Sequence, residues 1–312
     1  MSLAGFIPIN KPVGLRSTQC VEMVRAVLGK NVKVGHGGTL DSTASGVLIL
    51  LIGAATRLSS FVMGMPKRYE AKVKLGSETS TDDGSGDITF SKEWHFINET
   101  AIDSSLCSFM GWRMQAPPSV SAVHIDGKRA HELVRNGQKI QIVSKPVFFS
   151  YVKRKSLISD DGQVSFVIDC HKGTYIRSFA RDIGRRLGTA AHIAELERTK
   201  VGPFEIGDSI AAEMITNKNM EALINKILPV ETLNEEMSSY IADDTSAKRF
   251  GNGQKVALSD LKRANFGKYA AEPDVVVANS EDLFSVCETC AVDGQLKLSP
   301  VVNIFKDRCI EG

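Results

Sequence analysis

The chain has 312 residues, 43% of them hydrophobic and 24% charged, with 38 Lys and Arg against 36 Asp and Glu. That composition excludes a disordered, collagen-like or coiled-coil chain, and the length exceeds what one hydrophobic core usually serves, so two domains are expected. Six cysteines are too few for a disulfide scaffold, and the longest apolar run, Val47 to Ile52, cannot span a bilayer. With no secretory signal in view, the expected setting is the cytoplasm, with reduced thiols and no membrane attachment. The net charge of +2 conceals an asymmetry: residues 1–212 carry +7 and residues 213–312 carry −5. Between Lys128 and Lys155 stand eight basic residues and one acid, Glu132. Such clustering is the footprint of a polyanion binder, nucleic acid above all, because a merely solvated surface mixes both signs.

In chain order, Ser17 is placed to cap a helix to about Leu28, whose apolar face is Cys20, Val21, Val24, Val27 and Leu28, with Gly29 as its stop. A Gly-rich loop, Gly35 to Asp41, leads into the buried-strand run Val47–Ile52. Strict alternation from Tyr69 to Leu75 predicts a strand with Tyr69, Ala71, Val73 and Leu75 facing inward. Thr79 to Asp87 is polar and reads as a loop, and Asn98 opens a helix through Met110. Val164 to Cys170 alternates again. Then comes a helix from about Tyr175 to Leu187, with one stripe of Ile176, Phe179, Ala180, Ile183 and Leu187 and another of Arg177, Arg181 and Arg185. Such a helix can sit on a core and face an anionic ligand. Polar residues from Asn234 to Ser246 suggest a linker, and strand-like segments at 274–278 and 296–302 indicate a small β-rich domain.

No Walker or dinucleotide-binding glycine motif is present, and no G-x-S-x-G, which argues against an NTPase, a Rossmann dehydrogenase or an α/β-hydrolase. Cys287 and Cys290 form one C-x-x-C without a second pair, too little for structural zinc. The loop ending at Asp41 carries more information. Its glycines let the backbone turn tightly and admit a large ligand against the main chain. By itself, an Asp after such a loop reads as a turn or helix cap.

The run Val34-Gly-His-Gly-Gly-Thr-Leu-Asp41-Ser-Thr-Ala-Ser-Gly46 resembles the G-H-x-G-T-L-D-P-x-A-x-G signature of the TruB-type tRNA pseudouridine synthases. In order along the chain, Ile9 to Gly14, Lys67 to Ala71, Lys172 to Ser178 and Leu196 to Phe204 resemble four further motifs of that family. Pro117 to Gly137 follows another of its stretches, and the resemblance extends to about residue 230. The fold it implies is α/β (α+β), a pseudouridine synthase core on a mixed, mostly antiparallel sheet flanked by helices. The core spans residues 1–236, with an inserted basic thumb at about 124–155. Residues 237–312 resemble, more weakly, a small PUA-like RNA-binding domain.

The resemblance implies isomerisation of uridine 55 in the tRNA T loop to pseudouridine, without metal or cofactor, by a monomer needing no protein partner. The chemistry breaks N1–C1′, turns the uracil and joins C5 to C1′. It therefore needs an ionised carboxylate, a cation beside it, a platform for the ring and a group to take the C5 proton. Asp41 fits the first role, and Arg177 can pair with it and keep it ionised. Tyr69, facing inward on its strand, can stack on the base, and its hydroxyl is the family's candidate for the proton. His36, Tyr175 and Leu196 match family positions that contact or replace a flipped-out nucleotide. Lys128, Arg129, Lys153, Arg154, Lys155 and Arg181 are the candidate RNA contacts. Ser42, Val120, His124, His131 and Glu197 depart from the family pattern, and Glu197 reverses a charge. Rival expectations are the catalytic subunit of a guide-RNA-directed pseudouridylation particle and a tRNA-folding module with incidental catalysis. A glycosidase would need a second carboxylate across the bond.

Overall fold

Alternating apolar residues make half-buried strands, and an unbroken apolar run makes a strand covered on both sides. Both kinds occur in one sheet here. The computed structural model describes residues 3–120, 143–216, 220–267 and 275–306, plus the backbone alone of a short pair at 124–125 and 128–129. The first part runs β1 (Ala4–Lys11), α1 (Ser17–Leu28), β2 (Val34–His36), β3 (Ser45–Gly53), β4 (Lys67–Leu75), α2 (Glu99–Leu106) and β5 (Gly111–Gln115). It continues with β6 (Lys145–Arg154), β7 (Gln163–Cys170), α3 (Ile176–Arg186), β8 (Ala191–Val201) and β9 (Ile210–Ala211). The strands lie in the order β9-β1-β3-β8-β4-β7-β6-β5, with β2 also against β3. The β1–β9 and β3–β8 pairs are parallel and the other pairs along this path antiparallel.

The inner face of β4 and β7 presents Ala71, Val73, Leu75, Val164, Phe166 and Ile168 to Ile176, Phe179 and Ile183 of α3 and to Ile102 and Leu106 of α2. Phe179 is the pivot, with ring centroids 4.9 Å from Phe109 and 5.6 Å from Phe166. The opposite, outer face of β4, β6, β7 and β8 bears polar side chains crossed by exposed ion pairs, Arg68–Asp169, Lys72–Glu195 and Lys155–Glu70. Each such pair contributes at most about 1 kcal/mol. The β3 run has neither face free. Leu48, Leu50 and Ile52 pack on α1 through Cys20, Val21 and Val24, and Val47, Ile49 and Leu51 face a second sheet.

That second sheet is built from β10 (Ser239–Ile241), β11 (Val275–Asn279), β12 (Leu283–Val292) and β13 (Gln295–Phe305), with helix α4 (Asp244–Gly251) following β10 in the chain. Its order is β13-β12-β11-β10, with Val256–Ala257 and Lys262–Asn265 at the two ends. Val277, Phe284, Val286 and Ile304 join Phe6, Ala55 and Leu58 in the cluster beneath β3, so the two sheets share one core.

Three sequence expectations change. Residues 234–246 are not a linker: Ser239–Ile241 pairs with β11 and with Lys262–Asn265, and Asp243 caps α4 through the Ser246 amide at 2.8 Å. The polar residues there serve as caps and ladder partners. The basic insertion does not extend to 155, because Lys145–Arg154 is a strand between β5 and β7. Ser17 is the first residue of α1 rather than its cap; Arg16 holds that place, its amide donating to Gln19 Oε1 at 2.9 Å.

Truncating Phe284, fully buried between the sheets, is expected to cost about 3–5 kcal/mol. In urea, Phe284→Ala should shift one transition reported equally by both sheets. Independent unfolding of the second sheet would contradict the shared core.

Candidate active site

The loop from Gly37 to Ala44 is tied down at several points. Ser17 Oγ accepts from the Leu40 amide at 2.9 Å and donates to the Leu40 carbonyl at 3.0 Å. The Gly14 amide donates to the Ser42 carbonyl at 2.7 Å, so the loop is pinned although Ser42 stands where the family pattern has Pro. Lys11, with no exposed surface, donates through Nζ to the carbonyls of Ala44, Pro12 and Leu15 at 2.6, 2.8 and 2.9 Å. Burial lowers its pKa, while negative charge at Cys20 and Asp41 works against that. Gly46 must be glycine: its φ is +105°, and a Cβ there would lie 2.2 Å from the Arg198 carbonyl oxygen.

At the end of this loop the Asp41 carboxylate lies 2.9 Å from Arg177 Nε, its side chain 47% exposed against 8% for the arginine. The N–H of Nε is not aimed at that oxygen, so the contact is a close ion pair rather than a directed hydrogen bond. Arg177 is oriented from its other end, with Nη1 donating to the carbonyls of Thr81 at 2.9 Å and Val120 at 3.1 Å. A second carboxylate, Asp83, stands 4.0 Å from the same Nε. Asp83 Oδ1 accepts from Thr81 Oγ1 at 2.7 Å and from the Ser85 amide and hydroxyl at 3.0 and 2.5 Å, and Oδ2 accepts from Thr43 Oγ1 at 3.1 Å. Burial pushes the Asp83 carboxyl up, but these hydrogen bonds and the Arg177 charge outweigh it and hold it below the usual carboxylate range.

The sheet makes room for this group by splitting. Strand β8 pairs with β3 only at Glu197 and Arg198. Farther back, past a bulge between Ile193 and Glu195, the same edge pairs with the 82–84 turn: Ile193 donates to Asp82 at 3.1 Å and Gly84 to Ile193 at 2.9 Å. Asp41, Thr43 and Asp83 thus come from two segments sharing one strand edge.

Tyr69 lies opposite Arg198 across the β4–β8 pair, both buried. Arg198 donates from Nε to the Val47 carbonyl at 2.8 Å and from Nη1 to the Thr39 carbonyl at 3.0 Å. Burial raises the Tyr69 pKa and the Arg198 guanidinium partly offsets the rise, so the resting phenol is protonated. Leu196, on the same face, pairs with Ala71. His36 sits on β2 opposite Leu50, its Nδ1 buried without a partner and its pKa lowered by burial, which leaves it neutral. Tyr175 precedes α3, its backbone clamped by the Gln115 amide at 2.9 and 3.1 Å. A cavity of about 680 Å³ opens between β4 and β8 on the other side; Thr43 and Leu196 line it, with Glu197, but Asp41, Tyr69 and Arg177 do not.

The arginine stripe on α3 is taken up by carboxylates of this chain, with Arg177 and Arg181 buried and Arg185 exposed. Arg181 donates to Asp82 at 2.7 Å and to the Ala116 carbonyl at 2.9 Å, and Arg185 grips Glu78 through two contacts of 2.7 Å. Arg181 is buried, so the expectation that it faces a ligand is corrected: it holds the 78–83 turn. Arg154 points to the helix side, bound twice to Asp103 at 2.9 and 2.7 Å, and Lys155 is paired with Glu70. Lys153 is exposed on the outer face. The side chains of Lys128 and Arg129 lie outside the described residues. No cluster of three or more metal-binding side chains occurs among the described residues.

Asp83, Arg198 and Lys11 are the members of this site that the sequence did not single out. Arg198 and Lys11 stand inside quoted motifs, a signal that was there to use; Asp83 stands in a polar turn with no such mark.

In fold the chain is similar to the protein in "Crystal Structure of a Cbf5-Nop10-Gar1 Complex", on which it superposes with a TM-score of 0.71 at 24% identity, over 96% of this chain and 84% of that one. Residues 25–176 match the N-terminal domain of the TruB family pseudouridylate synthases, and residues 177–234 match the tRNA pseudouridylate synthase B C-terminal domain. Among curated relatives, tRNA pseudouridine synthase B of Paracoccus denitrificans is 37% identical over 264 residues, 85% of this chain and 87% of that protein. Its namesake in Staphylococcus saprophyticus is 37% identical over 269 residues, 83% and 87% of the two chains. The chain belongs to the TruB family.

Lys67, buried beside Tyr69, donates to the carbonyls of Met63 and Met65, and burial together with the Arg198 charge lowers its pKa to about 7. The folded protein gives up this proton near pH 7 and the unfolded chain only near 10.5. Stability should therefore rise with pH between those values. Urea titrations of wild type and Lys67→Met at several pH values check this, the variant being expected to lose that part of the rise.

Proposed function

We propose that this protein isomerises uridine 55 in the T loop of tRNA to pseudouridine. The observation that carries the reading is the Asp41–Arg177–Asp83 cluster, a half-open carboxylate beside a buried cation whose orientation is set from behind. Its membership of the TruB family, and the names of its relatives, supply the substrate. Those relatives, at 37% identity over more than four-fifths of the chain, also favour the stand-alone enzyme over a guide-directed subunit.

The uridine is turned out of the T loop, and the Asp41 carboxylate acts as the nucleophile that lets N1–C1′ break. The freed uracil rotates and C5 joins C1′. The C5 proton then leaves, N1 takes up a proton from solvent and the Asp41 carboxylate is left free, so product and substrate have the same composition. Arg177 keeps the attacking charge in place, and Asp83 keeps Arg177 in place. Tyr69 stacks on the ring. A protonated phenol cannot hold a second proton, so taking one from C5 requires Tyr69 to give up its own, with Arg198 stabilising the phenolate. His36, Tyr175 and Leu196 contact the flipped nucleotide or fill its gap. The protein works in the cytoplasm as a monomer without cofactor; residues 1–236 carry the chemistry, and residues 237–312 form a PUA-like part whose grip on RNA is local. Of the candidate RNA contacts, Lys153 is exposed without an ion pair among the described residues and meets phosphate, as do Lys128 and Arg129 of the basic insertion.

Release of tritium from tRNA carrying 5-tritiated uridine measures turnover. Asp41→Asn and Arg177→Ala should abolish release while tRNA affinity stays within about tenfold. Tyr69→Phe should slow it by about 100-fold or more, the size of a lost general base. Release at the wild-type rate from Asp41→Asn would end the assignment, as would a requirement for a guide RNA.

Asp83→Asn keeps the shape but removes the charge that balances Arg177. The expected result is a fall in kcat of about tenfold or more with KM little changed. A change in KM alone would place Asp83 in binding instead.

A further inference from the structure

On the outer face of the sheet, at its β5 edge, polar residues give way to rings. Trp112 is 75% exposed, Met114 60% and Tyr151 41%. The register puts Trp112 opposite Phe148 and Met114 opposite Pro146, so all four project to the same side. The Trp112 and Phe148 centroids are 5.3 Å apart, and His171 packs edge-on against Phe148 at 5.0 Å. A bulge between Phe149 and Tyr151 keeps Tyr151 on this face, opposite Asp169. There a cavity of about 580 Å³ is lined by Arg68, Tyr151, Lys153, Lys155, Val167 and Asp169. Lys153 makes no ion pair among the described residues.

We propose that this outer face of β5, β6 and β7 is a second RNA-contact surface, stacking an unpaired run of two or three bases outside the active site. Exposed rings set among cations on an open sheet are the means by which single strands are held: the rings take base faces and the cations take phosphates. Around these rings stand Arg68, Lys153 and Lys155 against Asp169 and Glu70, and with Arg68 and Lys155 paired to those acids Lys153 is the cation in excess, which suits a polyanion better than a protein surface. The occupant's class rests on the reading of the chain as an RNA enzyme. The site does not, because its rings and cations project from the face of the sheet opposite Tyr69 and α3.

The chain's two tryptophans make the test direct. Trp94, stacked on His95 and packed at the edge of the inner core, is remote from this face. In a Trp94→Phe protein, Trp112 alone reports on an oligouridylate of about eight nucleotides, within the site sizes single-strand binders cover. Saturable quenching that weakens with salt, and a loss of affinity of at least about fivefold in Tyr151→Ala, are expected. In unmodified protein, a 4-thiouridine oligonucleotide should crosslink within residues 111–115 and 145–154. Unchanged Trp112 emission at saturating RNA, crosslinks confined elsewhere, or a dimer that Trp112→Ala dissolves would each overturn the proposal. Tritium release is measured separately, so an inactive protein that still quenches would refute the synthase reading and not this surface.

Discussion

One guanidinium between two carboxylates organises this molecule. Arg177 is buried on α3, and its charge needs partners that the core cannot supply. They come from two loops, the Asp41 loop before β3 and the 79–87 turn after β4, which meet on the same edge of β8. The splitting of β8 from β3, the bulge near Ala194 and the hydrogen bonds converging on Asp83 all follow from bringing those loops together. Asp41 alone keeps substantial exposure, so it is the one member of the cluster open to a ligand.

The same economy governs the other charges. A basic half of +7 suggests a broad positive surface, yet Arg68, Arg154, Lys155, Arg181 and Arg185 each meet a carboxylate. Arg181 and Arg185 zip the 78–83 turn onto α3, and for the buried Arg181 desolvation makes the pairing count for fold geometry more than for attraction at a distance. Positive charge counted along the sequence therefore overstates what these residues present to a ligand.

Periodicity made much of the fold legible. The α1 and α3 stripes, the alternation of β4 and β7 and the apolar run of β3 all appear where their patterns place them, because each pattern records a local burial state. Asp41, Tyr69 and Arg177 were legible through motifs. Asp83 was not, since an acid in a polar turn looks the same whether it meets water or a buried arginine 94 residues along the chain. Ser239–Ile241 was misread for a related reason: three residues are too few to show alternation, and its flanking caps resemble a linker. The basic run ending at Lys155 hid a strand because every second side chain of β6 lies on an exposed face.

The covering of β3 on both sides has a consequence for how the chain is made. Val277, Phe284, Val286 and Ile304 leave the ribosome long after the face of β3 they cover. Until they emerge, Val47, Ile49 and Leu51 have only Phe6, Ala55, Leu58 and other earlier residues as cover on that side. The strand that follows the Asp41 loop thus waits for part of its shelter, and the nascent chain is prone to stray association there.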